Sequence, residues 1–148
     1  AAYDREFDIN VKGTFFTLQS LLPLLSAGAS VFVNTSVAAH KGVAGMALYS
    51  ATKGALSTLV RSLSVELAPR GIRVNAISPA PIETPILAKF GLPPEVFDAA
   101  RRDMEGRIPL GRYGAADEVA EVAVFLASTA SSFVTGAELR VDGGLSAA

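Results

Sequence analysis

Cysteine is absent from the sequence, histidine occurs once (His40), and charge is sparse. Without cysteine neither a disulfide framework nor a thiolate metal site can form, and one imidazole leaves no histidine cluster for zinc. A catalytic metal is therefore not expected. Charged residues make up 18% of the chain, 13 basic against 14 acidic, and neither sign gathers into a patch that could follow a phosphate backbone. Nucleic acid is not an expected partner. Long apolar runs are missing as well: Val122 to Ala127 is far too short to span a bilayer, and the opening Ala1-Ala2-Tyr3-Asp4-Arg5-Glu6 lacks the basic-then-apolar order of a signal peptide. No membrane partner is expected, and the default is a soluble, cytoplasmic protein. Repeats and low-complexity tracts are absent too. What is present is an apolar half of the composition in 148 residues, enough for the core of one compact domain.

Apolar residues at Phe7, Val11, Phe15, Leu18, Leu22 and Leu25 recur at intervals of three and four, which predicts one long helix over residues 3–27, bent near Pro23 and stopped at Gly28. Residues 30–36 form a nearly continuous β-branched and aromatic run, the signature of a strand covered on both faces. A second helix is predicted over 47–68, with Glu66 and Arg70 four apart on its last turn, and a second strand over 72–78. Five of the eight prolines lie between Pro79 and Pro94, so residues 79–115 read as a mobile segment carrying one amphipathic helix over 94–106, of the kind that serves as a substrate loop. Its charged run, Arg101 to Arg107, reads as the wet face of that helix. A further helix over 116–127 and a strand over 137–142 complete an α/β alternation, a partial doubly wound parallel sheet of about three strands with long flanking helices. Three strands bury little against helices of that length.

Tyr49 and Lys53 stand four apart at the start of the second helix, so both side chains leave one face one turn apart. An ammonium held near a phenol favours phenolate over phenol, which suits a tyrosine for proton exchange near neutral pH. Alone, the pair is better read as a surface tyrosine packed along a lysine stem. Position adds weight: Ser36 ends the first strand, and carboxyl ends of parallel strands line the ligand crevice of α/β sheets. A hydroxyl there can bond the same substrate oxygen as Tyr49, although it can also merely cap the strand end.

Taken in order, Asn10-Val11-Lys12-Gly13, Asn34-Thr35-Ser36, Tyr49-Ser50-Ala51-Thr52-Lys53, Arg73-Val74-Asn75-Ala76-Ile77-Ser78-Pro79 and Gly136 to Gly144 make the chain resemble the C-terminal part of a short-chain dehydrogenase/reductase. The resemblance covers essentially all 148 residues. It implies that residues 1–148 are the rear part of a single Rossmann-type NAD(P)-binding catalytic domain, and it implies a tetrad. Tyr49 would be the acid in ketone reduction and the base in alcohol oxidation, and Ser36 would polarise the substrate oxygen. Lys53 would assist Tyr49 and bind the nicotinamide ribose, while Asn10 would hold a water linking Lys53 to a proton relay. Pro79, Ile82 and Thr84 fall where the family contacts the carboxamide and diphosphate of NAD or NADP. Here the sequence departs from the family pattern, because Ala80 replaces the usual glycine; a positive φ at that position would strain it. His40 falls near the implied substrate pocket but reads as a solvent-facing loop histidine.

The family's glycine-rich phosphate turn, Gly-x-x-x-Gly-x-Gly, occurs nowhere in these residues. Two readings follow. In the first, the chain is a fragment of an oxidoreductase acting on a small carbonyl or alcohol substrate, inactive by itself. In the second it is a non-catalytic assembly module that keeps the family's helical contact surface. Both make it a homo-oligomer through helices 3–27 and 47–68.

Overall fold

The computed structural model describes residues 2–91 and 93–148; Ala1, and Leu92 within the 79–115 segment, lie outside them. The first helical run is composite: α1 (Ala2–Phe7), a π-helical turn (Asp8–Lys12), α2 (Gly13–Leu21) and a 3₁₀ turn (Leu22–Leu24). In the π turn the Gly13 N–H reaches back to the Asp8 carbonyl, one residue farther than an α-helix allows. The run ends at Leu24, short of the predicted 27, because Pro23 tightens the last turn and Leu25 turns extended at φ −85°, ψ 122°.

Then follow β1 (Ser30–Asn34), a 3₁₀ turn (Val37–Ala39), α3 (Ala47–Leu67), a 3₁₀ turn (Ala68–Arg70) and β2 (Arg73–Pro79). After them come β3 (Ile82–Glu83), a 3₁₀ stretch (Pro85–Phe90), α4 (Pro94–Arg107), β4 (Gly114–Ala115), α5 (Ala116–Ala127), a 3₁₀ turn (Thr129–Ser131) and β5 (Glu138–Val141). The main sheet is parallel in the order β1-β2-β5, with Val33 beside Ala76 and Ile77 beside Leu139. This is the partial doubly wound α/β sheet the alternation predicts.

Central strand β2 is buried from Val74 to Ser78, the polar Asn75 and Ser78 included. On one face Val33, Val74 and Ala76 pack with Leu56, Val60 and Leu67 of α3, and Leu18, Leu22 and Leu25 lean on the same cluster. Helix α5 lies against all three strands. Strand β1, at one of the two edges of this sheet, is not covered on both faces: Phe32 is 41% exposed and Asn34 is also exposed. Arg70 also departs from expectation. Instead of serving Glu66 it donates to the carbonyls of Leu22 and Leu25, satisfying the end of the first helical run.

Two polar residues of β2 organise the irregular link between α5 and β5. Arg73 donates to Ser131 Oγ and to the carbonyls of Leu126 and Ser128. Fully buried Asn75 donates to the Val134 carbonyl and accepts from the Ala137 N–H. At Gly136, φ is +73° and a Cβ would lie 2.7 Å from Ser64 Oγ, so only glycine lets β5 start this close to α3.

The 79–115 segment holds more order than one helix. Strands β3 and β4 pair in parallel, Ile82 with Gly114 and Glu83 with Ala115, too briefly for any periodicity to reveal. Arg101 of α4 bonds Glu83 and Glu105 and lies 5.2 Å over the Tyr113 ring, so part of the charged run tethers the helix to β3 and to the chain ahead of β4. Among the described residues, no helix is long and apolar enough to cross a membrane.

Candidate functional site

The site begins where β1 leaves the sheet. Thr35 still donates through its N–H to the Ile77 carbonyl at 2.8 Å. Ser36 then accepts the Ala38 N–H on its Oγ at 3.2 Å and caps the Val37–Ala39 turn, which ends the strand two residues before the predicted limit. That turn packs on α3. Tyr49 lies in the first turn of α3 and Lys53 in the next, with Lys53 Nζ 5.6 Å from the Tyr49 ring centroid. The ammonium donates to the Asn34 carbonyl at 3.0 Å, which ties α3 to the end of β1. Burial pushes Lys53 below its ordinary 10.5, with the Glu6 carboxylate acting in the opposite sense.

Asn10 sits in the π turn. Its amide donates to Glu6 Oε2 and to Thr52 Oγ1, both at 3.1 Å, and the buried Thr52 hydroxyl donates to the Tyr49 carbonyl at 2.7 Å. Asn10 thus reaches the residue beside Lys53, and Asn10, Asn34 and Lys53 line one open cleft between the first helical run and the β1 edge. Three of the four tetrad positions, Asn10, Tyr49 and Lys53, are linked through α3; Ser36 joins them through the turn packed on that helix.

Pro79 closes β2 opposite Val141, and the Ala80 N–H donates to the Val141 carbonyl at 3.0 Å. Among the described residues no non-glycine has a positive φ, so the strain anticipated at Ala80 does not arise. Ile82 stands in β3, and Thr84 follows in an extended conformation at φ −147°, its side chain making no capping bond to the 3₁₀ stretch that Pro85 opens. Buried hydroxyls without a hydrogen-bond partner lie beside both candidate contact regions, Ser50 next to Tyr49 and Ser78 next to Pro79. Orphaned buried hydroxyls and a lysine with donors to spare fit the polar nicotinamide end of a dinucleotide.

Glu138 escapes sequence reasoning. Its carboxylate accepts Thr35 Oγ1 at 2.5 Å and Ser57 Oγ at 3.2 Å, and its other oxygen meets His40 Nε2 at 3.0 Å. Burial would raise its pKa, but the bonds from Thr35, His40 and Ser57 together outweigh burial and hold it below the ordinary value. His40 is an exposed residue of the loop, as expected, but its imidazole is also engaged with Glu138. No local pattern in the sequence signals this role, because the pairing of β5 with β2 that brings Glu138 to the site is long-range.

A family model described as enoyl-(acyl carrier protein) reductase matches residues 1–146. Among curated relatives, the 3-oxoacyl-(acyl-carrier-protein) reductase of Thermotoga maritima is 40% identical over 145 residues, covering 97% of this chain and 56% of the relative. Among solved structures, ligand-free aldohexose dehydrogenase of Thermoplasma acidophilum superposes with a TM-score of 0.92 at 32% identity, over 99% of this chain and 60% of that one. A gluconate 5-dehydrogenase of Burkholderia cenocepacia, solved with NADP and tartrate, gives 0.90 at 31% identity, over 99% and 57%. The chain spans little more than half the length of these relatives. With motifs, parallel sheet and homologues in agreement, the chain belongs to the short-chain dehydrogenase/reductase family.

Proposed function

We propose that the protein carrying these residues is a nicotinamide-dependent oxidoreductase interconverting a secondary alcohol and a carbonyl compound, with Tyr49 as acid/base. The observation that supports this reading most is the Lys53 ammonium, half-buried beside the Tyr49 ring and bonded to the end of the strand that delivers Ser36. In carbonyl reduction the Tyr49 hydroxyl donates its proton to the substrate oxygen, and in the reverse direction the phenolate removes it. Lys53 stabilises the negative phenolate oxygen electrostatically and offers its remaining N–H donors to the nicotinamide ribose. Ser36 keeps accepting the Ala38 N–H and donates its own hydroxyl proton to the substrate oxygen, placing that oxygen between two hydroxyls. Asn10, fixed through Thr52, holds a water that resupplies protons toward Lys53. Pro79, Ile82 and Thr84 receive the carboxamide and diphosphate. When bound, NAD or NADP supplies or accepts the hydride.

Oxidoreductase names among the relatives, and the NADP in the gluconate 5-dehydrogenase structure, support this class of chemistry. Self-association through the α1–α2 run and α3 is part of the same proposal, supported by Ile9, Phe16 and Val65 at 61%, 51% and 76% exposure. Replacing Tyr49 by Phe tests the acid/base assignment, because the ring and its packing remain while the exchangeable proton is lost.

A further inference from the structure

We infer that Glu138 is a positioning residue for the Ser36 turn, an inference that rests on the reading of Ser36 as the hydroxyl that meets the substrate oxygen. Three side chains converge on this one carboxylate, each from a different side of the site: Thr35, His40, and Ser57, whose one hydroxyl proton is shared with the Lys53 carbonyl at 3.1 Å. Thr35 immediately precedes Ser36, His40 follows the Val37–Ala39 turn, and Ser57 lies one helical turn beyond Lys53 on α3. Both stems of the Ser36 turn and the helix bearing Tyr49 and Lys53 are therefore fixed to a common point on β5.

The bonds inside the turn, Ala39 N–H to the Ser36 carbonyl and His40 N–H to the Val37 carbonyl, shape it, and its buried Val37 and Ala38 pack it on α3. Glu138 adds a directional, hydrogen-bonded tie to that packing. Its side chain is only 13% exposed, and a carboxylate so placed is unfavourable unless its oxygens are satisfied. Packing alone would be served by an apolar residue beside buried Ala76. A carboxylate adds direction: hydrogen bonds hold hydroxyl and imidazole donors within a narrow range of positions, and a reacting group displaced by about 1 Å loses on the order of 100-fold in rate. The Lys41 ammonium donates a hydrogen bond to the Leu145 carbonyl at 2.6 Å and docks the next residue onto the same C-terminal region, so the turn is gripped along its exit.

Glu138→Ala and Glu138→Gln separate position from packing. Amide hydrogen exchange of residues 36–41, measured on the full chain, needs no turnover. In Glu138→Ala these amides are expected to exchange about tenfold faster or more, while Glu138→Gln, which keeps an acceptor for Thr35 and Ser57, stays close to the parent. Where turnover is measurable, Glu138→Ala should lower kcat about tenfold or more with KM within about threefold, and Glu138→Gln should recover most of it. Unchanged exchange in Glu138→Ala would overturn the inference, as would a loss confined to KM. If Glu138→Ala does not fold, Thr35→Val removes one of the three donors and should move exchange in the same direction; no change there would equally overturn it. Faster exchange in Glu138→Ala, combined with full turnover in Ser36→Ala, would keep the anchor and refute the role of Ser36.

Discussion

At the scale of the residue, Lys53 concentrates the argument. Its ammonium is half-buried, bonded to the Asn34 carbonyl and close to the Tyr49 ring, and burial lowers its affinity for the proton relative to the unfolded chain. Between the lowered folded value and the ordinary 10.5 the unfolded state binds more protons, so unfolding free energy rises with pH across that window. Denaturant titrations as pH rises toward 10.5 should therefore show a stability increment in the parent that is missing in Lys53→Met. A parent with the same pH slope as Lys53→Met would show that Lys53 carries no such penalty. The Tyr49–Lys53 relation is readable from sequence because both partners lie on one helix at a fixed spacing. Glu138 and His40 are not readable in that way. Their meeting depends on β5 returning beside β2, a long-range pairing that no local pattern encodes.

Elements show the same division. The limits of α3, α4 and α5 follow from apolar periodicity and from flanking prolines and glycines, whereas the π turn around Asn10 does not, since one extra residue in a turn hardly disturbs spacings of three and four. That turn places the Asn10 amide on Thr52 and leaves its carbonyl to the Thr14 hydroxyl at 2.7 Å. Strand β1 was legible as a strand but not as an edge, because edges are set by which neighbours pair. Helix α5 offers a direct test of an element's start. Glu118 accepts the Ala115 N–H at 2.7 Å and a bidentate pair from Arg112, at 2.8 and 2.7 Å. This is half of a capping box, since Ala115 has no side-chain oxygen to return the bond. The Arg112 bonds, and then the Ala115 N–H, lower its pKa from 4.5 to about 2. The contribution is complete above pH 4.5 and is lost as pH falls through about 2, so Glu118→Gln should flatten the acid limb of stability in that interval. The pair is exposed, and raised salt should shrink the effect in the parent. Identical acid limbs in parent and variant would contradict the assignment.

For the whole molecule, the main sheet holds the three strands that the sequence predicts, with Asn34-Thr35-Ser36 and Pro79 at the carboxyl ends of β1 and β2. Arg73 and Asn75, motif residues without an assigned chemistry, turn out to brace the α5–β5 link, which shows how a family signature mixes structural and functional positions. No glycine-rich phosphate turn lies within these 148 residues, so the chain by itself is expected to bind NADH or NADPH more weakly than micromolar in calorimetric titration, and light scattering at micromolar concentration should report a dimer or larger. Micromolar binding, or a clean monomer, would contradict the respective expectation. The central claim is the acid/base role of Tyr49, and its most direct test is single-turnover carbonyl reduction followed by nicotinamide absorbance, in the protein that carries these residues together with a dinucleotide-binding half. Tyr49→Phe is expected to slow that step roughly 100- to 10,000-fold while cofactor affinity stays within about threefold. A Tyr49→Phe protein that reduces substrate at the parent rate would contradict the account.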